Sequence, residues 1–387
     1  MRTERLDNTT RILADLVGFP TISAESNLEL IAYASEMLSA LGARLSVTLD
    51  ESGHKANLFA TLGPEGDGGI VLSGHSDVVP VDGQEWTGDP FALRMGDGNL
   101  YGRGTCDMKG FIACCLAMAP HFAGLDLKRP LHFAFTYDEE VGCFGARALV
   151  EELERAEIRP SVAIIGEPTM MRIIEGHKGC FEYTTEFRGL AGHASGPERG
   201  VNAVEYAVRY ITRLMAIAEE LKTRAPLGNR FDPPWTTLQV GTISGGAARN
   251  VIADHCSVEW EMRPVRNEDA DFVKDRIRAY AELELKPAMR AVFEDADIVT
   301  HVIGEVDGLE PVTESEARQI VSELTGLTEA EVVAFGTEAG LFQKAGISSV
   351  ICGPGSIEQA HKADEFVSIE QLDQCLGMLE RLGKRMS

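Results

Sequence analysis

The side chains able to do chemistry follow one another along this chain in a suggestive order: His75, Asp107, Glu139 and Glu140, Glu167 and, much later, His361. Most of them close a strand-like apolar run. His75 follows Ile70-Val71-Leu72-Ser73-Gly74, Glu139 and Glu140 follow Leu131-His132-Phe133-Ala134-Phe135-Thr136, and Glu167 follows Val162-Ala163-Ile164-Ile165-Gly166. Polar groups at the ends of neighbouring strands are how an open α/β sheet builds an active site. Two imidazoles among several carboxylates suit Zn²⁺ or a similar divalent ion. The lack of a cysteine cluster points to a catalytic rather than a structural metal.

The pieces divide the work between them. His75 and Asp77 are two apart, so on extended backbone their side chains point the same way. The Asp77 carboxylate is therefore expected to accept a hydrogen bond from the free nitrogen of His75 and fix its tautomer. Asp107 opens a helix after a glycine-rich turn, and its two oxygens could bridge two cations roughly 4 Å apart. By itself such an aspartate would read as a helix cap. Glu139 and Glu140 are adjacent, so on extended backbone they are expected to point to opposite sides, one as ligand and one as proton carrier. Alone, Asp138-Glu139-Glu140 is a solvated acidic turn and His361 a surface histidine; only the ordered set specifies a site.

Behind these residues the pattern reads as two kinds of domain. Helices are expected at 6–19, 27–42, 109–123 and 143–156, and strands at about 44–49, 57–62, 69–74, 131–137 and 161–166, an α/β alternation. After Gly176 the reading becomes β-α-β-β-α-β, with strands near 179–188, 236–244 and 250–262 and helices near 201–221 and 267–283, a ferredoxin-like α+β unit. Helix–strand alternation then resumes, at 313–325, 331–335, 347–352 and 368–385. Because His361 belongs with the early residues, the middle unit must be an insertion: 1–176 and 299–387 form the metal-binding domain and 177–298 the inserted one.

The chain has 387 residues, 44% of them hydrophobic and 25% charged, ordinary values for a globular protein with room for two domains. A net charge of −24 disfavours nucleic acid and anionic membranes as partners. The first residues lack an apolar stretch and no run approaches membrane-spanning length, so a cytosolic protein is expected. Its eight cysteines show no paired spacing and are expected to be reduced and mostly buried.

Taken together, Ser73-Gly74-His75-Ser76-Asp77, Gly102-Arg103-Gly104-Thr105-Cys106-Asp107-Met108-Lys109-Gly110, Asp138-Glu139-Glu140-Val141-Gly142, Gly166-Glu167-Pro168 and Ala360-His361 resemble the cocatalytic dinuclear zinc hydrolases. This is the family of aminoacylases, carboxypeptidases and desuccinylases, and the resemblance covers essentially the whole chain. It implies two Zn²⁺ per subunit, with Co²⁺ as a possible substitute. One ion would be held by His75, Asp107 and Glu167, the other by Asp107, Glu140 and His361, with Glu139 as general base and Asp77 in support. A cis peptide after Asp107 is also implied. In the inserted lid, the resemblance makes His193 an oxyanion donor reaching across a homodimer, and Asn250 and Arg263 the grip on a substrate carboxylate. The implied reaction is removal of an acyl group from an N-acylated amino acid, first among them acetyl from the α-nitrogen of ornithine in arginine biosynthesis. Succinyl and formyl substrates, or a metal-binding protein without catalysis, are the alternatives. Glu338 and Ala363 depart from the family, which usually has Asp and often has Pro at those places.

Overall fold

The computed structural model describes residues 4–387, and these form two compact units. The first comprises residues up to Gly176, Pro311–Val332 and Thr337–Ser387. Its core is an eight-stranded mixed sheet in the order Arg44–Leu49, Ala56–Leu62, Leu131–Thr136, Ile70–His75, Val162–Pro168, Ser348–Gly353, Ile173–His177, Ala330–Val333. The four central strands run parallel to one another; Ala56–Leu62 is antiparallel to both its neighbours, and Ile173–His177 is antiparallel to Ser348–Gly353. Ile70–His75, Leu131–Thr136 and Val162–Pro168 are buried along their whole length, which is why they read as unbroken apolar runs instead of alternating ones.

Helices Glu4–Val17, Leu28–Ser39, Lys109–Ala123 and Ile369–Met386 share one apolar core with this sheet. Lys109–Ala123 is almost entirely buried, which explains its lack of a polar face. It packs so closely that a Cβ on Gly166 would lie 2.0 Å from the Phe111 ring. The residue before Glu167 must therefore be glycine.

The second unit comprises His177–Glu310 and Val333–Gly336. Strands Thr237–Gly245, His255–Arg263, Cys180–Arg188 and Asp297–Val306 form an antiparallel sheet in that order. Helices Ala203–Thr223 and Asn267–Tyr280 share its apolar core, completing the β-α-β-β-α-β order. The first helix is capped by Asn202, whose side chain accepts from the N–H groups of Val204 and Glu205.

The expected boundary at 298/299 needs correction. It cuts through Asp297–Val306, which pairs with Cys180–Arg188 along its whole length and supplies the sixth element of the motif. The strand's alternation is broken by an irregularity between Val302 and Gly304, which hides it in the sequence. The expected strand at 250–262 is also two pieces, Val251–Ile252 and His255–Arg263, the first pairing with Gly192–His193. Among the described residues no helix is long and apolar enough to cross a membrane. The cysteines are free thiols, all buried except the partly exposed Cys180.

Candidate metal centre

Sheet register brings the separate segments together. His75 lies opposite Thr136, and Ser73 opposite Ile165, so Glu167 is carried to the level of His75 on the adjoining strand. The turn after Thr136 holds Glu139 and Glu140. Asp107 joins them from the turn before Lys109–Ala123, where the Asp107–Met108 peptide is cis.

His75 is buried. Its Nδ1 lies 2.9 Å from the main-chain oxygen of Asp77, an atom that can only accept, so Nδ1 carries the proton. The Asp77 carboxylate stands further off, at 3.6 Å. The peptide carbonyl is thus the nearer of two acceptors that Asp77 offers to Nδ1. The Asp77 carboxylate binds other partners. It accepts from Ser23 Oγ at 2.7 Å and from the N–H groups of Glu139 and Glu140 at 3.1 and 3.3 Å. Asp77 therefore clamps the acidic turn.

With Nδ1 protonated, Nε2 of neutral His75 turns its lone pair toward Asp107 Oδ1 at 2.9 Å and Glu167 Oε1 at 3.8 Å. Acceptors facing one another in a buried site repel unless a cation or a proton lies between them. Burial alone would lower the His75 pKa. Hydrogen bonding to Asp107 and Asp77 and the charges of Glu167 and Asp107 override it and hold the imidazole well above its usual value. Glu167 Oε1 is itself buried with no hydrogen-bond partner among the described residues. Burial, together with the negative charge of Asp107, pushes the Glu167 carboxyl well above the usual range.

On the other side, His361 Nε2 lies 3.0 Å from Glu140 Oε2 and 3.4 Å from Asp107 Oδ2. Hydrogen bonds to those carboxylates push the His361 pKa up to about 10. Burial works to raise Asp107, yet His361 and His75 hold it well below the usual range. Asp107 thus faces one imidazole with each oxygen, the geometry of a bridging carboxylate. The donor atoms fall into two overlapping groups lying within 4.8 Å, His75 with Asp107 and Glu140, and His75 with Glu139 and Glu167. An imidazole nitrogen facing carboxylates, an orphaned buried carboxylate oxygen and this donor set all fit divalent ions.

Glu139 and Glu140 do separate, but through a turn entered at Asp138 (φ 54°) instead of an extended strand. Glu140 reaches His361, while Glu139 stays beside His75 and Glu167 with Cys143 Sγ 3.6 Å from its Oε1. Burial pushes the Glu139 carboxyl well above the usual range, against the opposing pull of His75.

Two acids behind the site escaped the sequence reading as structural parts. Glu338 accepts from Ser73 Oγ and from Thr136 Oγ1, the latter at 2.8 Å, tying together the strands that end at His75 and Thr136. Glu365 accepts from the N–H groups of Cys106 and Asp107 at 2.8 and 3.0 Å and pairs with buried Arg103 at 2.8 Å. The signal available was an acid set close to a motif residue, too common to single out.

In the second unit, His193 and Asn250 come together. His193 pairs with Val251 across the short ladder, and the Asn250 carbonyl accepts from Ala194 N–H at 3.1 Å. His193 is exposed, with Nδ1 2.7 Å from Ser195 Oγ. Arg263 is not with them. It ends the strand His255–Arg263, whose start follows Asn250 closely, so it lies roughly 27 Å along the sheet at about 3.4 Å per residue. Its guanidinium engages Glu261 at 2.9 Å. The expected joint grip of Asn250 and Arg263 on one small carboxylate is therefore not assembled within a single chain.

An α/β metal-binding fold with a ferredoxin-like insertion is what the sheet and the cluster define. The chain belongs to peptidase family M20/M25/M40, whose model matches residues 71–385. It is 35% identical over 386 residues to an acetylornithine deacetylase of Pasteurella multocida (strain Pm70), covering 98% of both chains. It is 38% identical over 377 residues to one of Myxococcus xanthus, covering 95% of both. Among solved structures it resembles the M20 family metallo-carboxypeptidase Sso-CP2 of Sulfolobus solfataricus, with TM-score 0.72, 20% identity and 99% coverage of both chains. It also resembles the YXEP protein of Bacillus subtilis, described as a dinuclear metal binding peptidase, with TM-score 0.64, 17% identity and 98% and 97% coverage. These two likenesses concern the fold.

Proposed function

We propose that the protein is a metal-dependent amidohydrolase that removes the acetyl group from N2-acetyl-L-ornithine, giving L-ornithine and acetate. The observation that carries the hydrolase reading is the sheet-end cluster, in which Glu139 stands beside the His75–Glu167 pair. The choice of substrate rests on the relatives at 35% and 38% identity over nearly the full chain.

In this reading His75, Asp107 and Glu167 hold one Zn²⁺, and Asp107, Glu140 and His361 the other; Co²⁺ can substitute. The bound ions would supply Lewis acidity toward an amide carbonyl and a water. The remaining chemistry belongs to the chain. Glu139 accepts a proton as the water's oxygen bonds to the amide carbon, and returns it to the nitrogen as the C–N bond breaks. Burial raises its pKa, which strengthens it as a proton acceptor. Asp77 fixes the turn that carries Glu139 and Glu140 by accepting from both their N–H groups. His193 donates to the developing oxyanion, and Asn250 and Arg263 recognise the α-carboxylate. Because Arg263 lies far from the other two along its sheet, one small substrate meets all three only if a homodimer's two chains contribute different members. The small polar substrate and the acidic surface fit a cytoplasmic biosynthetic enzyme that binds neither nucleic acid nor membrane.

The test is kcat/KM of the zinc-loaded protein on N-acetyl-ornithine, N-acetyl-methionine, N-formyl-methionine and N-succinyl-diaminopimelate. N-acetyl-ornithine should lead. A higher value for another member would move the assignment to that acyl-amino acid, and no activity on any would leave a metal-binding protein without catalysis.

A further inference from the structure

Buried Arg103 and partly buried Gln84 tie three ligand-bearing loops together through bonds that the proposed chemistry does not use. Arg103 Nη1 donates to Glu365 at 2.8 Å and to the Lys362 carbonyl at 3.3 Å. Its Nη2 donates to Gln84 Oε1 at 2.6 Å and to the Pro80 carbonyl at 3.3 Å, and the guanidinium carbon lies 5.0 Å from the Trp86 ring centroid. One side chain thereby joins the loop after His75, the loop before Asp107 and the loop after His361.

Gln84 completes the link. Its Oε1 also accepts from Trp86 Nε1 at 3.1 Å, so the amide oxygen is fixed on the side of the two donors. A flipped amide would set its N–H groups against a guanidinium and an indole N–H. The NH₂ group must therefore point the other way, and it donates to the His361 carbonyl at 2.9 Å. His361 needs holding: its φ is 63°, in the left-handed region that non-glycine residues seldom occupy, and its side chain is 53% exposed. Apart from the acids that Nε2 faces, little packing surrounds this imidazole, so its aim depends strongly on how its backbone is held.

We propose that Gln84 is a positioning residue for His361, its amide N–H fixing the His361 backbone so that Nε2 faces Glu140 and Asp107. The proposal rests on the reading of His361 as a metal ligand. Partners that orient a ligand without touching the metal typically change metal affinity by about 10–100-fold.

The experiment titrates Zn²⁺ into the metal-free full chain by calorimetry, for the wild type, Gln84→Ala, Gln84→Glu and His361→Ala. Gln84→Ala should weaken one of the two ions by about 10-fold or more and leave the other within about 2-fold. Gln84→Glu keeps acceptors for Arg103 and Trp86 but has no donor for His361, so it should lose affinity for the same ion to the same degree. This nearly isosteric variant preserves the test if the alanine variant folds poorly. His361→Ala should abolish that ion, and adding Gln84→Ala to it should change nothing further. If His361→Ala keeps both ions, the ligand set itself is wrong. If His361→Ala loses one ion while either Gln84 variant binds both as tightly as wild type, the positioning role is overturned.

Discussion

Replacing Glu139 with glutamine tests whether proton transfer and metal binding reside on different residues of one turn. The change removes a charge and a proton site while keeping the shape. Glu140, one residue on, lies 3.0 Å from His361 and faces Asp107 across the same imidazole. Glu139 is closer to the His75–Glu167 side, where the neighbour of its oxygen is the Cys143 thiol at 3.6 Å. Burial raises its carboxyl well above the usual range. The basic form is thus gained only as pH rises through that elevated value, and wild-type kcat/KM should climb with pH on its acid side. Loss of a general base costs about 10²–10⁴ in kcat, or about 3–5 kcal/mol of transition-state stabilisation. The assay pairs kcat on N-acetyl-ornithine with metal content by mass spectrometry after gel filtration. Glu139→Gln should keep its metal and lose turnover, whereas Glu140→Gln should lose metal. The reverse pattern would exchange the two roles and refute the assignment.

Other changes probe other parts of the molecule. Gly166→Ala places a Cβ 2.0 Å from Phe111, so it should destabilise the first unit by upwards of about 3 kcal/mol and displace Glu167, read as a lowered Tm and weaker Zn²⁺ binding. His132 is buried with Nε2 unpartnered, and burial with the Arg44 charge lowers its pKa to about 4 from 6.5. Its folded pKa lies below its unfolded one, so the stability it contributes is present above about pH 6.5 and lost as pH falls toward 4; between pH 7 and 5 this amounts to about 2 kcal/mol. His132→Phe should flatten the pH dependence of urea unfolding by about that much, and an unchanged slope would remove this histidine from the account. Arg263→Ala should lower kcat/KM for a carboxylate substrate and hardly affect its poorer carboxamide analogue; equal losses on both would remove the carboxylate contact. Co-refolding Glu139→Gln with His193→Ala should restore activity to roughly one site per heterodimer if His193 serves the partner, whereas an inactive mixture would place it in its own subunit.

What the sequence disclosed and what it withheld follow from how each feature is encoded. The buried parallel strands were legible because burial on both faces leaves continuous apolar runs, and each run ended in a residue whose type suggested a role. Register then did what spacing could not, carrying Glu167 to the level of His75 through pairings with residues far away in sequence. The strand Asp297–Val306 was hidden because an irregularity near Gly304 interrupts its alternation, and the domain boundary was misplaced with it. Local geometry around the site was less legible still. Asp77 was legible as a partner of His75 by its carboxylate, but its carbonyl is the nearer acceptor of the imidazole N–H, while the carboxylate accepts from the N–H groups of Glu139 and Glu140, a double role that spacing does not encode. Arg103, Gln84 and Glu365 were invisible as a group because their meaning lies entirely in what they touch, and their partners are up to 277 residues away. Motif residues announce themselves by chemistry and spacing, whereas the residues that aim them are identified only once the chain has folded back on itself. Mutations at such supporting positions should therefore change metal affinity while leaving every recognisable motif intact, as Gln84→Glu is expected to do.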